Sequence, residues 1–375
     1  MRLEGVKRCP ASLNSRQQQP FSIKTESIRE KFPRNLFISG KLRFLILNGK
    51  PVQDRSTMTI IVRPDYHALS VIEKNGIRWI PPEQAERQDI RPLRIGILNI
   101  MPLGEQYEFN ILHPLGLSVL QLEPVWIRLE SHHYKSWPEN HVEDVYVSYA
   151  EAIREKHLDG LILTGAPVET FDFDEVHYWQ EISEILHDAR NSIPSTLGLC
   201  WAGFAMAFLE GIDKFNYERK LFGVFELENL DPTHPITGEL DDVFWCPQSR
   251  HAGLADDAME AARDSGILKL LAYGKAPGYT IFSTSDERFI AHTGHPEYNA
   301  TRLAFEAKRD LDNPEVKAPE NFDFDNPKNR WRSHRNNFFI QWLRYCYLSI
   351  STRDMSNGES LRNRGRIDPD SEMLE

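Results

Sequence analysis

From about residue 92, two patterns of apolar and polar positions alternate along the chain. One is a short, nearly continuous apolar run, typical of a strand buried on both faces of a parallel sheet. The other places apolar residues every three or four positions, which predicts an amphipathic helix. This alternation predicts βαβ units with right-handed crossovers, and therefore an α/β fold with a doubly wound, mostly parallel sheet flanked by helices. The predicted strands are 93–98, 124–129, 158–163 and 195–199, and the predicted helices are 142–157, 173–189 and one beginning at Trp201.

The second half of the chain has a different pattern. Short β-branched or aromatic runs at 220–227, 243–245 and 279–293 are accompanied by turn residues, which predicts further strands. Residues 299–311 and 331–350 show helical periodicity, and the second of these helices is apolar enough to dock on the body of the protein.

Both ends of the chain differ in composition from this middle part. Residues 1–63 carry 13 Lys or Arg against 4 Asp or Glu. We interpret 1–57 as a basic leader of low order, consistent either with translation from Met58 or with a transit peptide. A single globular domain is predicted over 58–352, and the polar tail 353–375 is predicted to be disordered.

Composition and charge exclude several functions. The 375 residues are 41% hydrophobic, and 44 Lys and Arg against 55 Asp and Glu give a net charge of −11. This balance argues against nucleic-acid binding and against a membrane-surface protein. The longest apolar stretch, 202–209, is far shorter than the ~20 residues of a membrane-spanning helix. Four scattered cysteines fit neither a metal clip nor a disulfide framework, so we expect a reduced, cytoplasmic protein.

One of these cysteines is placed for chemistry. Cys200 stands between the predicted strand 195–199 and the helix beginning at Trp201, which is the layout of a nucleophile elbow. Unpaired amides at a helix start favour a thiolate, and the backbone amide of Trp201 is placed to hold the oxyanion of a tetrahedral intermediate. The structural alternative is a small core residue at a strand end.

His295 is the candidate base, because it follows a predicted strand of the same sheet. Glu297, two residues further on, would orient the imidazole and stabilise its cation, completing an arrangement of nucleophile, base and orienting group. His292 is predicted to point to the opposite face and to serve packing. The remaining cysteines are predicted to be inert, with Cys246 in a turn: Cys9, Cys246 and Cys346.

Several segments together resemble known proteins. The sequences Gly-Leu-Cys-Trp at 198–201 and His-Pro-Glu-Tyr at 295–298 resemble the class I glutamine amidotransferase-like architecture. More specific segments resemble the homoserine O-acyltransferase family, also called homoserine transsuccinylases, in the expected order over roughly residues 65–350. These segments are 88–95, 164–169, 222–226, 249–251 and 330–334.

The resemblance implies a catalytic role for three residues. Cys200 matches the family's acyl-thioester nucleophile, His295 its proton acceptor and Glu297 the third catalytic residue. It also implies substrate-binding roles for a further set: Lys220, Ser249 and Arg309. By themselves, the lysine and the arginine fit solvated surface charges equally well, and the serine alone indicates nothing.

Glu169 matches the position that decides the family's acyl donor, where glutamate is associated with acetyl-CoA and glycine with succinyl-CoA. A carboxylate at this position would repel the free carboxylate of a succinyl group and leave an acetyl group untouched. Without the resemblance, Glu169 also fits an ordinary acid at a helix start.

The resemblance therefore implies a ping-pong acetyl transfer, from acetyl-CoA through Cys200 to the hydroxyl of L-homoserine, that serves methionine synthesis. It implies no metal or prosthetic group, and it suggests a homodimer. One segment departs from the family: residues 103–109 replace a Lys/Thr/Glu-rich stretch, in what we predict to be a loop at a strand's carboxyl end. This leaves the acceptor open between homoserine and serine, because one methylene discriminates by only about 1–3 kcal/mol.

Three alternative functions remain open at this point. The first is the same enzyme with succinyl-CoA as donor. The second is a glutamine amidohydrolase with the same Cys–His–Glu arrangement, and the third is a non-catalytic binding protein on the same scaffold.

Overall fold

The structure is a computed structural model that describes residues 60–313 and 316–356. The predicted leader 1–57 and most of the predicted tail 353–375 lie outside these residues. Among the helices described, none has the length and apolar character needed to span a membrane.

The described residues alternate between strands and helices over most of their length, with one additional 3₁₀ turn at Phe173–Glu175. In chain order the elements are β1 (Ile60–Ile61), α1 (Leu69–Lys74), β2 (Trp79–Ile80), α2 (Pro82–Ala85), β3 (Leu93–Leu98), α3 (Gly104–Leu115), β4 (Leu122–Arg128), α4 (Glu139–Val145), β5 (Val147–Ser148), α5 (Tyr149–Lys156), β6 (Gly160–Leu163), α6 (Trp179–Ser192), β7 (Thr196–Leu199), α7 (Trp201–Leu209), β8 (Lys214–Asn229), β9 (Val243–Leu254), α8 (Asp256–Asp264), β10 (Leu268–Gly274), β11 (Gly278–Thr284), β12 (Phe289–His292), α9 (Ala300–Arg309) and α10 (Arg332–Ser356).

The strands form one sheet in the order β2-β1-β4-β3-β6-β7-β12-β11-β10-β8-β9, with β5 paired to β4. Neighbours from β2 to β12 run parallel. From β12 to β9 they run antiparallel. The predicted α/β fold with a doubly wound, mostly parallel sheet is confirmed, and the antiparallel strands extend it at one edge.

The core lies on both faces of this sheet, which explains the continuous apolar runs. Successive residues of β6 face opposite sides: Ile162 belongs to the cluster that contains α3 and α10, whereas Leu161 and Leu163 belong to the cluster that contains α6 and α7. A strand covered by helices on both faces needs apolar residues at every position rather than at alternate ones.

The prediction of one continuous helix over 142–157 is wrong. The segment forms α4 and α5, separated by the two-residue strand β5. Val147 pairs with Ile127 of β4, and Ser148 begins α5 with a capping box in which its hydroxyl accepts from the Glu151 amide and the Glu151 carboxylate accepts from the Ser148 amide. The local capping signal and the sheet pairing together override the helical periodicity.

The predicted loop at 103–109 is also wrong, because α3 begins at Gly104. Leu103 precedes it in a left-handed conformation with φ 55°. A Cβ atom at Gly104 would overlap the ring of Trp137, so glycine is required for the helix to start there. Cys246, predicted to lie in a turn, is instead a fully buried residue of β9.

Candidate active site

Cys200 lies on a strained turn between β7 and α7. Its φ of 52° and ψ of −113° are unusual for a residue with a side chain. The turn is held because the Cys200 amide donates to the carbonyl of His292 at 2.9 Å, and because Gly198 leaves room for the close approach of Ala202. This is the geometry of a nucleophile elbow, as the sequence predicts.

His295 follows β12, the strand adjacent to β7, which brings its ring to Cys200. Both residues line the same cavity, and the interaction with Cys200 raises the pKa of His295. On the other side of the ring, Nδ1 lies 2.8 Å from Oε1 of Glu297, which is fully buried. The ring also stacks on Tyr298 with centroids 4.2 Å apart. The structure therefore brings the three predicted catalytic residues together, with His295 bonded to Glu297 and next to Cys200.

The electrostatics of this chain favour a protonated imidazole. Burial by itself lowers the pKa of His295, but the charges of Cys200 and Glu297, and the hydrogen bonds to both, raise it well above the usual 6.5. A protonated imidazole beside a cysteine stabilises a thiolate, which is the nucleophilic form of this side chain.

Tyr107 is a member of this network that the sequence reasoning missed. Its hydroxyl donates to Oε1 of Glu297 at 2.7 Å, so this oxygen serves both Tyr107 and His295. Within the described residues, the other oxygen of Glu297 has no hydrogen-bond partner. Tyr107 lies in α3, within the segment 103–109 that is predicted to be a loop. Recognising a helix there would have been needed to identify Tyr107 as a candidate residue.

Cys200 and His295 open onto a cavity of about 510 Å³ at the carboxyl edge of the parallel strands. Glu169 and the predicted substrate-binding residues also line it, whereas Glu297 lies behind His295. The complete lining is Met101, Pro102, Leu103, Ala166, Pro167, Glu169, Thr170, Cys200, Lys220, Ser249, His251, His295, Tyr298, Arg302, Phe305, Glu306 and Arg309.

The two predicted substrate-binding cations share one carboxylate. Nζ of Lys220 lies 2.9 Å from Oδ2 of Asp310, and Arg309 donates to both oxygens of Asp310 at 2.6 and 2.9 Å. Burial raises the pKa of Asp310, but these hydrogen bonds and charges lower it to about 2. The Lys220–Arg309–Asp310 group keeps one net positive charge at the cavity wall.

A buried carboxylate, Glu306, also lines the cavity beside this positive group, and the sequence reasoning missed it. Glu306 accepts from Ser249 at 2.7 Å and from Tyr298 at 2.8 Å, and it pairs with Arg302 at 3.2 Å. Burial raises the pKa of Glu306, but the charges of Arg302, His295 and Lys220 lower it overall, so it is ionised. The spacing 302, 306, 309 places all three on one helical face, and this periodicity could have identified them.

Glu169 and Trp201 occupy different surroundings. Glu169 is half-buried in the cavity wall, where its carboxylate accepts from the His251 amide at 3.3 Å. The Trp201 ring is fully buried among Phe173, Tyr178 and Trp179. The predicted oxyanion role concerns only its backbone amide, which is the first of α7 and precedes the intrahelical hydrogen bonds.

Two clusters of the described residues have metal-ligating side chains, and both are explained by hydrogen bonding. Nδ1 of His292 accepts from the Gly294 amide at 3.1 Å, which places the proton of neutral His292 on Nε2. That Nε2 lies 3.2 Å from Nε2 of His334 and 3.7 Å from the sulfur of Cys246. A metal bound between these groups would need a free lone pair on Nε2 of His292, which carries the proton instead. His292 therefore serves packing on the side away from the cavity.

In the second cluster, His67, Glu108 and His141, the carboxylate is already saturated. Glu108 accepts from the hydroxyls of Tyr66 and Tyr146 and bonds to His141 at 2.6 Å. A fully satisfied buried carboxylate fits a structural network.

A thiol, an imidazole and a carboxylate joined at the carboxyl edge of a parallel sheet define a class of α/β enzymes that use cysteine as the nucleophile. The family model described as homoserine O-succinyltransferase matches residues 59–352. The chain belongs to this family and is an acyltransferase.

The relatives within this family have both acyl specificities. A homoserine O-acetyltransferase from Geobacillus kaustophilus is 38% identical over 299 residues, covering 77% of this chain and 96% of that protein. A homoserine O-succinyltransferase from Proteus mirabilis is 34% identical over 308 residues, covering 80% and 98%. Among solved structures, a glutamine amidotransferase from Thermotoga maritima covers 69% of this chain and 98% of that one, with 13% identity and a TM-score of 0.43.

Proposed function

We propose that this chain transfers an acetyl group from acetyl-CoA to the hydroxyl of L-homoserine through a thioester on Cys200. The observation that carries the proposal is that Cys200 and His295, with Glu297 bonded behind the imidazole, line a cavity that also contains opposite charges for an amino acid. The named relatives in the family support the same chemistry.

In the first step, the Cys200 thiolate attacks the thioester carbonyl of acetyl-CoA. A bond forms between the cysteine sulfur and the acetyl carbon, the bond to the CoA sulfur breaks, and the CoA thiolate takes the proton from the His295 imidazolium. The backbone amide of Trp201 is the donor we assign to the oxyanion. Because one thioester replaces another, the acetyl group stays activated.

In the second step, neutral His295 removes the proton from the acceptor's hydroxyl. The oxygen attacks the acetyl carbon, the bond to the Cys200 sulfur breaks, and the thiolate–imidazolium pair is restored. Glu297 stabilises the imidazolium in both steps, because it accepts from Nδ1 at 2.8 Å. The products are CoA and O-acetyl-L-homoserine, a precursor for methionine synthesis.

The charges around the cavity suit an amino-acid acceptor. Glu306 is ionised and buried, and the acceptor's ammonium group would bind it in competition with its present partners Ser249 and Tyr298. The acceptor's carboxylate would bind Arg309 with Lys220 close by, in competition with Asp310. Arg302 has an Nε without a hydrogen-bond partner among the described residues, which offers one more donor.

The donor is assigned to acetyl-CoA through Glu169. A half-buried carboxylate in the wall of the acyl pocket disfavours the free carboxylate of a succinyl group. The three described cysteines are all unpaired, which supports the proposed cytoplasmic location.

Mass spectrometry of the intact enzyme tests this function. After mixing with acetyl-CoA and no acceptor, we expect an adduct of about 42 Da on Cys200, absent in the Cys200→Ala variant. Addition of L-homoserine should discharge it, and L-serine should discharge it more slowly. An adduct of about 100 Da formed faster from succinyl-CoA would overturn the donor assignment, and ammonia release from glutamine without any adduct would overturn acyl transfer.

A further inference from the structure

A second cavity of about 460 Å³ adjoins the catalytic cavity. Met101, Pro102 and Pro167 line both, so the two cavities meet where β3 and β6 end. The second cavity is formed by the loops that follow β3, β4 and β6. Ligands of open parallel sheets bind at these carboxyl ends.

The second cavity and the proposed acceptor-binding residues lie on different sides of Cys200 along the sheet. In the strand order β4-β3-β6-β7-β12, the second cavity belongs to strands on one side of β7, the strand that leads to Cys200. Lys220 and Ser249 come from β8 and β9, beyond β12 on the other side. The proposed acceptor site therefore leaves the second cavity free for a different part of the reaction.

The lining of the second cavity is basic and aromatic. His132, His133, Lys135 and His177 contribute to it, together with aromatic side chains, and no carboxylate is among the lining residues in the described part of the chain. Glu181, a charged neighbour of His132, is occupied as the acceptor of the Glu130 and Ser131 amides. Burial, His177 and His133 lower the pKa of His132, so Lys135 supplies the positive charge of this lining, and the imidazoles add hydrogen-bonding groups. A lysine with polar imidazoles and no carboxylate favours an anionic ligand.

The wall that carries these bases is held in place without a ligand. The Trp137 indole donates to the carbonyl of Met101 at 3.1 Å, and the Tyr134 hydroxyl accepts from the Leu129 amide at 2.9 Å. The rings of His132 and His177 stack with centroids 5.3 Å apart, and Nδ1 of the first lies 3.2 Å from Nε2 of the second. A preformed wall reduces the entropy lost when a ligand binds.

We propose that this basic cavity, defined by His132, His133, Lys135 and His177, binds the phosphate-bearing part of the coenzyme A donor, with the pantetheine arm passing Pro167 to reach Cys200. The inference rests on the proposed acyl-CoA chemistry. A thioester donor carries its phosphates far from the reacting carbon, so a cationic subsite separate from the catalytic cavity is expected. Its position on the far side of Cys200 from Glu306 lets CoA and acceptor approach the same sulfur from different directions.

Steady-state kinetics with two donors test the subsite. In Lys135→Glu, the KM for acetyl-CoA should rise roughly tenfold, because a repulsive charge replaces an attractive one, while the KM for the acceptor stays unchanged. The same variant should use S-acetylpantetheine, which lacks the distal phosphates, as well as the unmodified enzyme does. Lys275→Glu, the same charge change at an exposed lysine of the β10–β11 turn, should behave as the unmodified enzyme with both donors.

Two results would overturn the subsite. One is an acetyl-CoA KM within twofold of the unmodified value in both Lys135→Glu and Lys135→Ala. The other is an equal loss with S-acetylpantetheine, which would indicate general damage.

Calorimetric binding of CoA to the Cys200→Ala protein separates this proposal from the proposed function. Weaker binding caused by Lys135→Glu supports the subsite whether or not turnover is seen. If the unmodified enzyme forms no acyl-Cys200 with either donor, the proposed function fails. If it forms acyl-Cys200 but Arg309→Lys rather than Lys135→Glu weakens CoA binding, the subsite is misplaced.

Discussion

The hydroxyl of Tyr107 lies 2.7 Å from the same Glu297 oxygen that lies 2.8 Å from Nδ1 of His295. A fully buried tyrosine of α3 thus fixes the carboxylate that orients the proposed base. The neighbouring carboxylate oxygen has no partner within the described residues, so the position of Glu297 depends on Tyr107 and His295 together. This makes Tyr107 a positioning residue rather than a reacting one.

Replacing Tyr107 with phenylalanine tests this role. We expect kcat to fall about fivefold, the equivalent of about 1 kcal/mol for one neutral donor, with little change in either KM. The kcat–pH profile should also shift to higher pH, because a Glu297 that has lost a hydrogen bond holds the His295 proton more tightly. Tyr273→Phe, which removes an exposed hydroxyl bonded to Asp256, is the matched control. A lowered Tm with an unchanged pH profile would indicate a purely structural role.

The pH dependence of Cys200 alkylation tests the charge on Glu297. The pKa of His295 is raised by Cys200 and Glu297 against the effect of burial, so Glu297→Gln should lower that pKa. The thiolate–imidazolium pair is then less populated near neutral pH, and alkylation by iodoacetamide at pH 6–7 should slow roughly tenfold, with the difference vanishing near pH 10. Glu169→Gln removes a carboxylate from the same cavity and should leave the profile unchanged. Identical profiles for Glu297→Gln and the unmodified enzyme would contradict the ion pair.

Donor choice should respond to Glu169. Glu169→Gly removes a carboxylate from the acyl pocket, so the ratio of kcat/KM for succinyl-CoA to that for acetyl-CoA should rise at least about tenfold. The measurement is the rate of CoA release with each donor at a fixed concentration of homoserine. An unchanged ratio would show that another residue selects the donor.

Glu306 should affect the acceptor and not the donor. Glu306→Gln removes the buried charge proposed to bind the ammonium group, so the KM for homoserine should rise more than about tenfold. Formation of acyl-Cys200 from acetyl-CoA, followed by rapid-quench mass spectrometry, should keep its rate and serves as the internal control. A slower acylation step would place Glu306 in the first half-reaction instead.

Gly104 sets the start of the helix that carries Tyr107. In Gly104→Ala the new methyl group would meet the buried ring of Trp137, and overpacking of this kind costs about 1–3 kcal/mol. The expected result is a lower free energy of unfolding in urea together with reduced kcat. In Gly203→Ala the new methyl would make an ordinary contact 3.4 Å from Thr293, so its stability should change less. Equal stability for the two variants would show that Trp137 moves away without cost.

Patterns that depend only on neighbours along the chain were predictable here. A continuous apolar run signals a strand covered on both faces, so β3, β4, β6 and β7 followed from sequence, whereas the two-residue strands β1, β2 and β5 did not. The motifs at Cys200 and His295 could be placed at strand ends for the same reason. In contrast, α3 could not be predicted from the sequence, because its start depends on a contact between Gly104 and Trp137, which are 33 residues apart.

The sequence by itself determined the alternation of elements, the elbow at Cys200 and the carboxylate two residues after His295. Only the tertiary structure decided that β12 lies beside β7, which joins thiol to imidazole, and that α3 brings Tyr107 to Glu297. It also decided the pairing of Lys220 and Arg309 with Asp310 and of Ser249 with Glu306. The physical reason is that hydrogen bonds and charge pairs act over a few ångströms of space, and residues 57 or 190 positions apart acquire that proximity only when the sheet is complete.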